Sequence, residues 1–226
     1  MTNENHIIEG DCVNVMQSLP AASMDLAVTD PPYLVNYRDR TGRSIVNDDN
    51  PERVLSAFPE LYKLLKPDTF CVSFYGWSKI EYFANAWRQA GFKPVGHIVW
   101  HKDYASNSGY LDYHHEQCFL LAKGNPPKPP VPLADVRPWE YTGNKNHPTE
   151  KAVGVIRPLI ETFSQTGDTV IDPFFGSGTT AVAAAFAGRR YIGIEIEPEY
   201  CELARKRLAA THAYMRANSR PRSFQI

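Results

Sequence analysis

The sequence predicts an α/β protein whose mostly parallel sheet is covered by helices on both faces. Three observations carry this expectation. Short apolar runs alternate with segments of helical apolar spacing along the 226 residues, at intervals that suit strand–helix–strand crossovers. Two turns, Asp30-Pro31-Pro32-Tyr33 and Asp172-Pro173-Phe174-Phe175, each place Asp-Pro and an aromatic directly after a strand-like run. A glycine loop, Gly176-Ser177-Gly178, then opens a helix.

The elements follow in order. Residues 24–29 (MDLAVT) form a short apolar run into the first Asp-Pro turn, hence a strand ending in a stiff turn. Asn50 caps a helix with Pro51 at its first position, and Val54, Leu55, Phe58, Leu61 and Leu65 keep helical spacing, with a kink or break expected at Pro59. Residues 70–77 read as a buried strand. Ser78 and Glu81 form a capping-box pattern for a helix carrying Ile80, Phe83, Ala84 and Trp87 on one face, and Gly91 ends it. Strands are expected at 95–100 and 117–122. The stretch 126–138 holds six prolines, so it suits neither a central strand nor a helix. A helix over 149–163 should be interrupted at Pro158. Strand 169–171, helix 179–187, strand 191–196 and a long helix from Pro198 complete the alternation.

Composition narrows the class. With 43% hydrophobic and 22% charged residues the chain reads as globular, and its length suits one α/β domain spanning 1–226. The longest small-apolar stretch, 181–187, is far short of the roughly 18–20 residues of a membrane span. No basic-then-apolar signal pattern opens the chain. The four cysteines, Cys12, Cys71, Cys118 and Cys201, show no C-x-x-C spacing. Zinc ribbons and disulfide frameworks are therefore not expected, and a cytoplasmic setting is. A net charge of −1 excludes nucleic-acid binding by bulk basicity while leaving room for a local basic face.

In the segment Asp172 to Ala181, the glycines permit a tight turn and close approach of the backbone to a ligand, and Ala181 suits close helix–strand contact. Glu195 ends the next strand where an acidic side chain meets ribose hydroxyls. The pattern does not separate a dinucleotide from S-adenosylmethionine, although an Asp172 facing an ammonium makes better chemistry than one facing a pyrophosphate. The Asp30 turn is more telling. Pro31 and Pro32 lack N–H groups, so the turn offers carbonyl acceptors beside a carboxylate. An exocyclic amino group has two N–H donors to meet them. Tyr33 adds a π-face for a base that has left its stack.

Together these turns resemble the β-class S-adenosylmethionine-dependent DNA amino-methyltransferases, the adenine-N6 and cytosine-N4 methylases of DPPY type. The resemblance implies a circularly permuted Rossmann-like methyltransferase fold, with Asp30, Pro31, Pro32 and Tyr33 catalytic. It also implies S-adenosyl-L-methionine bound by Asp11, Cys12, Asp30, His147, Thr149, Lys151, Asp172, Pro173, Phe174, Gly176, Ser177, Gly178, Thr179 and Glu195. Several segments are similar to family motifs: 9–12 (EGDC) beside the cofactor adenine, 98–102 and 115–116 in the middle, 147–151 (HPTEK) against the methionine end, and 191–195 at the ribose. Ala152 departs from the family, which usually has Pro there. Asp30 favours adenine N6, because the cytosine-N4 enzymes more often carry Ser at that position.

DNA with its target base flipped out is the implied partner, and dimerisation is implied by the resemblance alone. Arg38, Arg40 and Arg43 could hold phosphates, and Lys102 opens a short insertion, 102–146, whose interleaved aromatics and basic residues suit target recognition. The adjacent His114, His115 and Glu116 alternate across a strand and do not suit a shared metal ion. The basic run Arg205-Lys206-Arg207 to Arg216, Arg220 and Arg222 suits either a solvated helix end or DNA. A cytosine-N4 methylase, a nicotinamide oxidoreductase using the glycine loop and Glu195, and a non-catalytic DNA-binding module are the alternatives. The recognition sequence and any partner nuclease are not readable from the sequence.

Overall fold

The alternation of runs resolves into a mixed sheet with two buried faces. A computed structural model describes residues 5–38, 42–106, 109–143 and 149–218. Its strands are β1 (His6–Glu9), β2 (Met24–Thr29), β3 (Leu65–Phe74), β4 (Lys93–His101), β5 (His115–Lys123), β6 (Val136–Pro138), β7 (Thr169–Asp172) and β8 (Arg190–Glu195). They are ordered β1-β8-β7-β2-β3-β5-β4-β6. β1, β8, β7, β2 and β3 run parallel, and β5 is antiparallel to both β3 and β4. The helices are α1 (Cys12–Ser18), α2 (Pro51–Leu55), α3 (Ala57–Leu64), α4 (Ile80–Ala90), α5 (Val153–Phe163), α6 (Thr179–Phe186) and α7 (Pro198–Asn218).

Strand alternation explains the two layers. Leu26, Val28, Val72 and Phe74 point into one cluster with Ile156 and Leu159 of α5 and Ala183 of α6. Their neighbours Ala27, Cys71, Ile171 and Ile194 point the other way, to Met16, Phe58, Leu61 and Trp87. Among the described residues no helix is long and apolar enough to cross a membrane.

Several boundaries differ from expectation. The helix after Asn50 breaks at Ser56 rather than Pro59, which occupies the first turn of α3, where a missing N–H leaves no bond unmade. β3 ends at Phe74, and a 3-10 turn, Trp77–Lys79, precedes α4. The Ser78–Glu81 capping box is not formed, because the cap position falls at Lys79. α5 starts at Val153, leaving 149–152 free to face the sheet edge, and it runs unbroken through Pro158. One lost helix bond costs about 3 kcal/mol, less than burying Val155, Ile156, Leu159 and Ile160 at about 1.5–3 kcal/mol each. The proline-rich stretch ends in β6, an edge strand, where proline is tolerated. The segment 102–146 is no single insertion: β5, inside it, lies between β3 and β4 in the sheet. The candidate recognition surface narrows to the segments flanking that strand.

Candidate active site

The parallel strands bring their carboxyl ends to one edge, and the antiparallel pairing brings the start of β5 to the same edge. β7, late in the chain, lies directly against β2, with Leu26 opposite Val170 and Ala27 opposite Ile171. The two Asp-Pro turns thereby become neighbours. They border one cavity of about 440 Å³, within the range of small-molecule sites. Asp11, Cys12, Asp30, Pro31, Pro32, Tyr33, Thr149, Lys151, Asp172, Pro173, Phe174, Gly176, Ser177, Thr179 and Glu195 all line it. His147 and Arg40 lie outside the described residues.

At the centre is a part-buried polar network. Lys151 Nζ donates to Asp30 Oδ2 at 2.6 Å, and the Tyr33 hydroxyl donates to Asp30 Oδ1 at 3.0 Å and lies 3.4 Å from Glu116 Oε2. Glu116 is in turn paired with Lys102. Burial lifts the Asp30 carboxyl and the Lys151 ammonium opposes that lift. Burial also works to discharge Lys151, but Asp30 and Glu116 outweigh it and hold the ammonium above the ordinary lysine value. At 2.6 Å the two form an ion pair. Tyr33 stays a phenol, since burial and the two carboxylates push its pKa well up. The resemblance puts Lys151 at the cofactor's methionine end; its ammonium sits on the Asp30 carboxylate of the same cavity.

The glycine loop is held from two sides. Gly176 and Gly178 have φ of +51° and +84°, values that favour glycine, and a Cβ at Gly178 would stand 2.8 Å from Ala204 Cβ. Gly178 therefore serves helix packing and lies outside the cavity lining. Glu195 accepts from Gly176 N–H at 2.6 Å and from Glu197 N–H at 2.9 Å, so the carboxylate expected at the ribose also ties the loop down. Asp172 accepts from the Thr180 hydroxyl at 2.6 Å and from Phe174 N–H at 3.1 Å, and burial pushes its carboxyl up to about 7. Asp11 caps α1, accepting from Asn14 N–H, which sets Cys12 at the cavity wall. Burial, then Asp11, pushes the Cys12 thiol up to about 12, so it is no nucleophile.

Two residues missed by sequence reading hold the frame. Arg207 of α7 donates from Nη1 to Ser177 O and Oγ, each at 2.7 Å, while Nη2 stands 2.9 Å from Glu150 Oε1. Asp48, 2% exposed, accepts from the N–H groups of Leu34, Val35 and Tyr37. These follow the Asp30–Tyr33 turn, with Leu34 and Asn36 at positive φ. An acidic residue mid-loop and a basic residue on a helix carry no local signature, so neither had one to find.

The DNA-contact expectations divide. Arg38 is exposed, and its backbone bridges to Ser44. Arg43 lines the cavity, where its charge acts on the Tyr200 hydroxyl. Lys102 is a correction: it is 4% exposed, bonded to Glu116 and 5.1 Å from the Trp139 ring centroid, so it faces inward rather than toward a phosphate. Arg207 is likewise turned inward rather than solvated.

A proline turn and a glycine loop meeting over one cavity at the carboxyl edge define a Rossmann-like methyltransferase. The N6_N4_Mtase family of DNA methylases matches residues 24–206, and the chain belongs to it. YubD of Escherichia coli (strain K12), described as a methylase, is 49% identical over 211 residues, 93% of each chain. A DNA modification methylase of Thermus thermophilus, solved in complex with S-adenosyl-L-methionine, superimposes with a TM-score of 0.72 at 25% identity, covering 92% of this chain and 94% of its own. The cytosine-N4-specific PvuII DNA methyltransferase superimposes with a TM-score of 0.74 over 95% of this chain and 93% of its own. At 18% identity that likeness concerns the fold alone.

Proposed function

We propose that this DNA methylase transfers the methyl group of S-adenosyl-L-methionine to the N6 amino group of adenine. The observation that carries the reading is Asp30, a carboxyl group held by Lys151 at 2.6 Å and followed by two prolines that lack N–H donors. The fold leaves the base open, since a cytosine-N4 enzyme shares it. Asp30 supports adenine because the family's cytosine-N4 members more often have Ser in that place.

The cavity suits the cofactor. Asp172 and Glu195 present buried carboxylates, Asp30 a partly exposed one, and the Thr29 hydroxyl is buried there with no hydrogen-bond partner among the described residues. Those acceptors match a cationic ligand rich in hydroxyls and amines. S-adenosyl-L-methionine supplies an electrophilic methyl group on a sulfonium. Asp172 would meet the ammonium, Glu195 the ribose, and Asp11 and Cys12 the adenine. Asp30 and the Pro31 carbonyl accept hydrogen bonds from the target amine, drawing electron density onto its nitrogen, while Tyr33 packs against the flipped base.

The test is direct. Protein and methyl-labelled cofactor are incubated in parallel with unmethylated genomic DNA and with RNA, and each nucleic acid is digested to nucleosides. Label in N6-methyladenine is expected. Label confined to N4-methylcytosine, or found in RNA and absent from DNA, overturns the reading.

A further inference from the structure

The sheet edge that carries Asp30 has two unlike halves. On one side, β7 and β8 end in Asp172 and Glu195 over the cavity. On the other, β3 and β5 bring up an aromatic surface that stands outside the cavity lining. Trp77, 53% exposed, stacks on Tyr113 with ring centroids 5.3 Å apart and planes at 20°. Both rings are tied to the reacting centre. The Gly76 backbone presses on Tyr33, where a Cβ would stand 2.9 Å from Tyr33 Cβ. Tyr113 leads into β5, whose Glu116 meets the Tyr33 hydroxyl at 3.4 Å. Trp77 also opens the turn that ends at Lys79, which adds positive charge beside it.

Extruding a base from a duplex strips its neighbours of a stacking partner. A flat, half-exposed indole, backed by a second ring, is the chemistry that replaces such a partner without reading sequence. We infer that the Trp77–Tyr113 stack is a nucleobase platform beside the catalytic turn, taking up a base adjacent to the flipped target. The inference rests on the DNA-methylation reading and deepens it by naming where unstacked DNA is held.

Trp77 is the most exposed of the four tryptophans, with Trp87 and Trp100 buried. Its emission therefore reports on the platform. A short mixed-sequence DNA duplex should quench the wild-type emission, and Trp77→Phe should remove most of that quenching. With unmethylated genomic DNA as substrate, Trp77→Ala should raise the KM for DNA about tenfold, leave the KM for S-adenosyl-L-methionine unchanged, and be largely rescued in Trp77→Phe. Equal DNA KM values in Trp77→Ala and an active wild type overturn the platform, as does quenching that survives in Trp77→Phe. A wild type that binds S-adenosylhomocysteine yet never methylates DNA overturns the parent reading, and the platform with it.

Discussion

Arg207 grips Ser177 twice, at its carbonyl and its hydroxyl, each 2.7 Å from Nη1. With Glu150 on the other nitrogen, one guanidinium joins the glycine loop to the segment that carries Lys151. Arg207→Met leaves Glu150, whose side chain is 3% exposed, buried without this partner. Charge-assisted bonds of this kind contribute about 1.5–3 kcal/mol, so S-adenosylhomocysteine affinity should fall by tenfold or more, with partial recovery in Arg207→Lys. Calorimetric titration reads the change, and wild-type affinity in Arg207→Met would remove Arg207 from this role.

Lys151 keeps two carboxylates, Asp30 and Glu116, tolerable in a buried site. Without its ammonium, only the Tyr33 hydroxyl opposes burial and Glu116 at Asp30, and the pKa rises further. Lys151→Met should lower kcat about a hundredfold near neutrality, with rate regained as the pH rises and Asp30 ionises. A pH–rate profile parallel to that of the wild type would contradict this account.

Asp172 has a folded pKa of about 7 against an ordinary value of 3.8 because it is buried. For this group alone, stability is fully present below about pH 4 and is lost as the pH climbs to about 7, since the folded chain retains a proton that the unfolded chain has released. A cationic cofactor prefers the ionised carboxylate. Its affinity should therefore drop about tenfold per unit below pH 7, with proton release on binding near neutrality. Titrations in buffers of differing ionisation heat measure both, and Asp172→Asn should flatten the dependence.

Asp48 anchors three N–H groups that follow the Asp30–Tyr33 turn. Asp48→Ala should cost about 2–3 kcal/mol, roughly 5–10 °C in melting temperature, and Asp48→Asn, which keeps one acceptor, should cost less. Thermal unfolding of the two variants checks the order.

Legibility in the sequence follows locality. The runs 24–29 and 169–171 are readable as strands because side chains alternate every two residues wherever a strand forms. The face of α4 is readable from its helical spacing, and Gly91 does end that helix in a left-handed conformation. β1 and α1 escape such reading, being four and seven residues long and carrying too few apolar positions for a period to show. Lys102 misleads because a lysine among aromatics resembles a phosphate contact, and only the strand pairing places Glu116 beside it.

By itself the sequence determined the doubly covered sheet, the two Asp-Pro turns at strand ends and the family to which they belong, since each depends on neighbours a few residues apart. The tertiary structure alone decided that Lys151 reaches Asp30 across 121 residues, that Arg207 turns inward to the glycine loop, and that Asp48 fastens the backbone after the Asp30–Tyr33 turn. Such pairings depend on the order in which strands lie side by side. That order is settled by packing both faces of the sheet at once, which no local pattern encodes.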